Sequence, residues 1–322
     1  MQYVELPGVQ TPMSRVVQGA ISLFALDDPS RFALLDAALG AGINAFDTAV
    51  NYATPDDSVD AILGRWIRHR GGREGIVISA KGCHPELPDW VPRVNPDAIV
   101  EDIGRSRQQI GVDHLDLWLF HRDDPSAEIG SLAEAVNAAI DRGHIGAWGV
   151  SNWSTSRVEA AVEYADAHDL RRPVANSAHW SLVDQLDEPW DDVVTLTGPN
   201  RAYDRAWHRE QEVAVVAWSP LAGGFLSERT TRQELEAATE GHLADTARCY
   251  LNEANWARRE RAAEVGRRLG LSLSQVALAW ALHADFSPSV IVANATNDEV
   301  AENVAAERAA LSDADRDYIF SG

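Results

Sequence analysis

The chain has 322 residues, 45% hydrophobic and 24% charged, with Gly and Pro spread along it, which is the composition of a globular protein and not of a disordered one. A formal net charge of −21 argues against a general nucleic-acid or anionic-membrane partner, because such surfaces need clustered Lys and Arg. Two distant cysteines, Cys83 and Cys249, leave neither a disulfide framework nor a CxxC metal spacing, so both are expected as reduced thiols. The N-terminus lacks the basic start and apolar core of a signal peptide, and no apolar run reaches membrane-spanning length. A cytoplasmic protein is the expectation.

Residues 15–20 form the first apolar strand candidate, after a Pro- and Gly-punctuated segment read as a small hairpin covering one end of the fold. Residues 29–40 have helical spacing, with Ser30 as cap and Phe32, Leu35 and Leu39 on one face; Gly40 and Gly42 end the helix before a second strand at 43–46. Residues 57–70 put Val59, Ile62, Leu63 and Trp66 on one helical face, Gly71-Gly72 stops them, and a third strand at 76–80 runs directly into Lys81. The pattern continues with a helix at 95–110, a strand at 115–120 ending at His121, a helix at 131–142, a strand at 145–150 and a helix at 155–168. A short strand follows at 173–176.

Residues 184–198 are irregular and acidic, with Asp187, Glu188, Asp191 and Asp192; without histidine or ligand spacing they read as a solvated loop and not a metal site. Cys83-His84 is read as pocket wall or loop for the same reason, so no metal is expected. A helix at 200–212 and a seventh strand at 213–218 lead into a long connection, 219–255, of the kind that is functional or carries small helices. Helices at 256–269 and 273–283, an eighth strand at 289–292, and closing helices at 297–306 and 313–319 complete the chain.

Eight strand–helix units without a break in composition predict an α/β fold: one (β/α)8 TIM barrel over residues 1–322 as a single domain, with an N-terminal hairpin and extra C-terminal helices. A doubly wound sheet is the weaker alternative, since Gly19-Ala20-Ile21-Ser22 after the first strand contains no GxGxxG.

In such a barrel every strand points its carboxyl end at one face. Asp47, Lys81 and His121 stand at the ends of consecutive strands and Tyr52 on the loop after Asp47, so the four are expected to converge. A phenol with an ordinary pKa of about 10 is a poor acid or base near neutrality. Lys81 beside it would favour the phenolate, Asp47 would hold the ammonium, and His121 would hydrogen-bond a substrate oxygen. Such a group protonates an alkoxide as hydride reaches a carbonyl carbon.

The run Gly42-Ile43-Asn44-Ala45-Phe46-Asp47-Thr48-Ala49-Val50-Asn51-Tyr52, then Lys81, then Leu115-Asp116-Leu117 leading to His121, resembles the aldo-keto reductase superfamily. Gly149-Val150-Ser151-Asn152 and Ala217-Trp218-Ser219-Pro220-Leu221-Ala222-Gly223-Gly224 resemble its cofactor segments, so the similarity runs from about residue 15 to 303. The resemblance implies reversible reduction of an aldehyde or ketone with NADPH or NADH, Tyr52 being the acid/base, Lys81 and Asp47 its tuning pair and His121 the substrate-orienting group. It further implies that Ser151 and Asn152 contact the nicotinamide carboxamide, that Trp218 stacks on its ring, and that the backbone of Ser219, Pro220, Leu221 and Gly223 faces the pyrophosphate.

Two departures stand out. Ser177 occupies the position of the family's usual carboxamide-binding glutamine. After strand eight, Asn294, Thr296 and Glu299 appear with no arginine for a 2′-phosphate, while Asn303 matches the adenine contact. A missing guanidinium fork tilts the expectation towards NADH or dual use.

Substrate walls are expected from Phe24, His84, Trp90, Arg122, Trp180 and the long loop after strand seven; a sugar or polyhydroxylated carbonyl is one class these aromatic and polar groups suit. The alternative is a regulatory subunit that binds nucleotide in the same fold without turnover. A metal-dependent barrel hydrolase is weaker, because His or Asp pairs at several strand ends are missing.

Overall fold

The apolar runs that lack alternation are buried on both faces, as strands between a barrel interior and a helical jacket must be. The computed structural model describes residues 1–321. Two short strands, β1 (Tyr3–Val4) and β2 (Met13–Ser14), pair antiparallel as the expected hairpin. Eight parallel strands follow: β3 (Val16–Gly19), β4 (Ala45–Asp47), β5 (Val77–Gly82), β6 (Leu115–Phe120), β7 (Ile145–Ser151), β8 (Ala175–Ser177), β9 (Ala214–Ala217) and β10 (Ser289–Val292). They pair in chain order and β10 pairs with both β9 and β3, which closes the (β/α)8 barrel.

Six helices fill the crossovers up to β9: α1 (Asp28–Gly40), α2 (Val59–Arg70), α3 (Pro96–Ile110), α4 (Ile129–Asp141), α5 (Thr155–Ala167) and α6 (Ala202–Glu210). The expected Ser30 cap is instead Asp27, whose carboxylate accepts from the Ser30 amide, so α1 begins one residue earlier than its apolar spacing indicated. The α2 face is as expected, with Val59, Ile62, Leu63 and Trp66 all buried.

The connection between β9 and β10 carries α7 (Arg232–Ala237), α8 (Gly241–Tyr250), α9 (Glu253–Leu269) and α10 (Leu273–Leu282); α11 (Asn297–Glu307) and α12 (Asp313–Ser321) end the chain. Thus the long connection holds two small helices and still leaves residues 219–231 as a loop along the barrel mouth.

Strand periodicity divides the core. Val17, Val77, Leu117, Leu119 and Val216 fill the barrel interior, whose lower end Leu6 and Met13 of the hairpin close. Phe46, Ile78, Trp118, Phe120 and Trp148 face the helices. The hairpin seats tightly because both chains are bare where they cross. A Cβ on Gly8, whose φ is +86°, would lie 2.5 Å from the Gly146 carbonyl oxygen, and one on Gly146 would lie 2.6 Å from that of Gly8. With the lower end closed, the upper rim is left for a ligand.

Candidate active site

Asp47 ends β4 in register with Ser79 of β5. The ladder continues beyond it: the Thr48 amide donates to the Ser79 carbonyl at 2.8 Å and the Val50 amide to that of Lys81 at 2.9 Å. The Thr48 hydroxyl donates to buried Asp60 of α2, which also accepts from Ser106 of α3, each at 2.7 Å. Tyr52 donates its amide to Ala49 and accepts from the Val59 amide, both at 2.9 Å. The loop carrying the phenol is therefore held at both ends and along its middle.

Lys81 is buried and donates to both carboxylate oxygens of Asp47. Its Nζ lies 5.6 Å from the Tyr52 ring centroid. The His121 ring meets that of Tyr52 edge-on at 5.6 Å, placed by its amide's bond to the Gly82 carbonyl at 2.8 Å. The four residues expected to converge do so.

Burial works against the Lys81 ammonium, but Asp47 and Tyr52 outweigh it and its pKa lies above the ordinary lysine value. For Tyr52 burial pushes the phenol up, against the downward pull of Lys81. The lowering expected from a neighbouring cation is thus outweighed, and the protonated phenol is the favoured form. Burial, followed by Lys81, His84 and Arg122, holds His121 well below its usual range, so the imidazole is neutral. Its Nδ1 is buried without a hydrogen-bond partner.

These groups line one end of a cavity of about 910 Å³. Ser151, Asn152, Ser177, Trp218, Ser219, Pro220, Leu221, Gly223, Asn294, Glu299 and Asn303 line the same cavity. Thr296 does not: it caps α11, its hydroxyl accepting from the Glu299 amide at 3.2 Å. Asn152, with a left-handed φ of 60°, accepts from Trp218 Nε1 at 3.1 Å and donates to the Ser151 hydroxyl at 3.1 Å. Ser219, Ala222, Gly223 and Gly224 also have positive φ, so the turn after β9 bends sharply along the cavity wall.

At the far end Asn303 donates to Asn294 at 2.6 Å, and Asn294 donates to Gln18 at 2.7 Å. The residues present fit an extended dinucleotide on a specific observation: the Ser177 hydroxyl is buried, unpartnered and on the cavity wall, where a ligand amide would satisfy it.

The expected substrate wall is only partly present. Arg122 lines the cavity. His84 lies against His121 at 4.9 Å and against Trp90 at 5.4 Å, beside the site and not in its wall. Trp180 instead stacks on Trp280 at 4.8 Å and donates to the Ala281 carbonyl, as part of the core under α10. Phe24 packs against the barrel–helix core.

Of the cavity-lining residues that the sequence does not single out, Trp190 and Arg229 stand out. Trp190, in the loop read only as acidic and solvated, reaches the cavity and lies 5.4 Å from the Trp218 ring. Arg229, from the connection after β9, lines the far end and pairs with Glu299. A lone tryptophan inside a polar loop was the available signal for the first; the second had none within its own segment.

A (β/α)8 barrel with an acid, a phenol, a lysine and a histidine at its rim, on a cavity of about 910 Å³, defines a class of barrel proteins. Residues 15–321 match the model of the Aldo/keto reductase family, and the chain belongs to that family. It is similar to a probable voltage-gated potassium channel subunit beta of Oryza sativa subsp. japonica, 26% identical over 95% of this chain and 91% of the relative. The protein of the same name in Arabidopsis thaliana is 27% identical over the same shares. A putative voltage-gated potassium channel subunit beta of Schizosaccharomyces pombe is 26% identical over 84% of this chain and 77% of the relative. Among the described residues no helix is long and apolar enough to cross a membrane.

Proposed function

We propose that this chain, working as one domain, is an oxidoreductase that reversibly reduces an aldehyde or ketone to an alcohol with a nicotinamide dinucleotide. The observation that carries this reading is the placement of Tyr52, Lys81, Asp47 and His121 on one cavity with Ser151, Asn152, Ser177 and Trp218. When bound, the nicotinamide supplies a hydride. Tyr52, protonated, gives its hydroxyl proton to the substrate oxygen, and Lys81 stabilises the phenolate left behind. Asp47 keeps the ammonium in position. Neutral His121 holds the carbonyl oxygen by a ring N–H.

Ser151, Asn152 and Ser177 would orient the carboxamide, with Trp218 as the ring's platform. The turn 219–224 would face the pyrophosphate, and Asn294 and Asn303 the adenine. At the adenosine end the cavity wall carries Glu228, Glu299 and Glu302 against one Arg229. That excess of carboxylates favours a ribose hydroxyl over a 2′-phosphate, so NADH or both nucleotides serve. A cytoplasmic place, and no nucleic-acid or membrane partner, accompany this reading; the −21 charge supports it.

A second reading draws on the relatives' names: the chain is an auxiliary subunit that binds nucleotide without needing turnover. The four rim residues, all present, favour the enzyme. Purified protein with NADH or NADPH and a panel of aldehydes and ketones tests both. Nucleotide oxidation dependent on Tyr52 is expected, whereas tight nucleotide binding with no turnover of any carbonyl would favour the auxiliary subunit.

A further inference from the structure

Arg122 follows His121 at the end of β6 and is only 4% exposed, yet its guanidinium lines the cavity. Its Nε is buried with no hydrogen-bond partner. Among the described residues no carboxylate forms an ion pair with it. The other buried arginines, Arg15 and Arg258, share an unpartnered Nε but their terminal nitrogens are engaged: Arg15 donates to two main-chain carbonyls and to Gln2, and Arg258 donates to the Leu182 carbonyl and pairs with Asp184. What Arg122 has is the face of Trp190, 5.7 Å from its Cζ.

A guanidinium cannot shed its proton near neutrality; burial lowers the pKa of Arg122 only to about 10. A buried cation without a counter-charge is unfavourable unless a ligand brings one. The acids that face it come from the loop carrying Trp190. One of these, Asp192, accepts instead from Trp90 Nε1 at 3.4 Å, and neither it nor Glu188 bonds to Arg122.

We propose that the carbonyl substrate carries a carboxylate a short distance from its reacting carbon and that Arg122 binds it as a planar fork. This rests on the carbonyl-reductase reading above and narrows its substrate class. Carboxylate and guanidinium match as two parallel N–H to O bonds. Trp190, which lines the cavity with its ring face 5.7 Å from the Arg122 Cζ, suits a flat or short apolar spacer between the two ends. A neutral sugar can accept from the guanidinium but leaves its buried charge without a counter-charge. Arg122 is thereby the residue that selects aldehyde acids over neutral carbonyls.

The test is the ratio of kcat/KM for 4-carboxybenzaldehyde to that for its neutral methyl ester, methyl 4-formylbenzoate, with the full chain and both nucleotides. The wild type is expected to favour the acid at least tenfold. In Arg122→Gln that ratio falls by about 10- to 100-fold, as loss of a charged hydrogen-bond pair implies, and Arg122→Lys lies between, keeping charge without the fork. An unchanged ratio in Arg122→Gln, or an equal loss on both aldehydes, overturns the proposal.

If neither aldehyde is reduced, the wider panel of carbonyls decides the oxidoreductase reading, and the anion site is decided by binding. Tryptophan fluorescence titrated with the acid and the ester, in the presence of NAD+, should show tighter binding of the acid that Arg122→Gln removes. Equal binding of acid and ester to the wild type sinks it.

Discussion

Lys81 and Asp47 form an ion pair at the barrel rim with 4% and 5% of their side chains exposed. One group of that pair, removed alone, leaves the other charged and buried, whereas removing both leaves an apolar gap. Asp47→Ala is therefore expected to lower stability by about 3–5 kcal/mol. The double variant Asp47→Leu/Lys81→Met should recover most of that loss, and urea denaturation measures the difference. Equal destabilisation in the two variants would show that the pair contributes by packing and not by charge.

Tyr52→Phe keeps the ring against His121 and Lys81 and removes only the hydroxyl. Turnover should fall by at least about 10²-fold, with nucleotide Kd changed less than about twofold, because the phenol acts on the substrate oxygen and not on the nucleotide. Single-turnover kinetics and nucleotide titration separate these quantities. A comparable loss of nucleotide affinity would move Tyr52 from catalysis to binding.

The raised Tyr52 pKa gives opposite pH dependences to the two directions. Reduction needs the protonated phenol, which persists throughout the neutral range, so its rate should be flat from about pH 6 to 9. Oxidation of the alcohol needs the phenolate and should rise across the same range. An oxidation rate that levels off near neutrality would show that Lys81 lowers the phenol after all.

His179 is fully buried, bonded to the Thr195 hydroxyl at 2.8 Å and the Tyr250 hydroxyl at 3.2 Å, and burial pushes its pKa down to about 3. Between that value and the unfolded pKa of about 6.5 the unfolded chain binds a proton that the folded chain does not. Stability therefore falls as pH drops below about 6.5, by about 2 kcal/mol between pH 7 and 5 from this residue. Denaturant melts of the wild type and His179→Gln should show a shallower decline in the variant. Parallel curves would mean the imidazole is not the group that titrates.

At the adenosine end, Arg229 is paired with Glu299. Arg229→Ala should raise KM for NADPH several-fold, and that for NADH by less, since only the 2′-phosphate can displace Glu299 from the guanidinium. A strong preference of the wild type for NADPH would show that Arg229 outweighs the three carboxylates around it.

Much of the site was readable before folding because it sits at strand ends. Asp47, Lys81 and His121 each follow an apolar run, and their side chains point to one rim as soon as the runs are parallel neighbours. Barrel closure also follows from the eightfold alternation, since no strand is left with an unpaired edge. The boundaries that slipped, such as the start of α1 at Asp28, depend on which side chain finds an amide to cap.

The amino-acid sequence alone thus determined the alternating strands and helices, the closed barrel and the four rim residues, because these depend on local periodicity and neighbour order. Only the tertiary structure decided that Trp180 belongs to the core while Trp190 reaches the cavity. It also decided that Arg229 meets Glu299 across 70 residues and that burial outweighs Lys81 at the phenol. Those outcomes depend on how long loops pack over the rim and how much water they exclude. Neither quantity is set by the residues next in the chain.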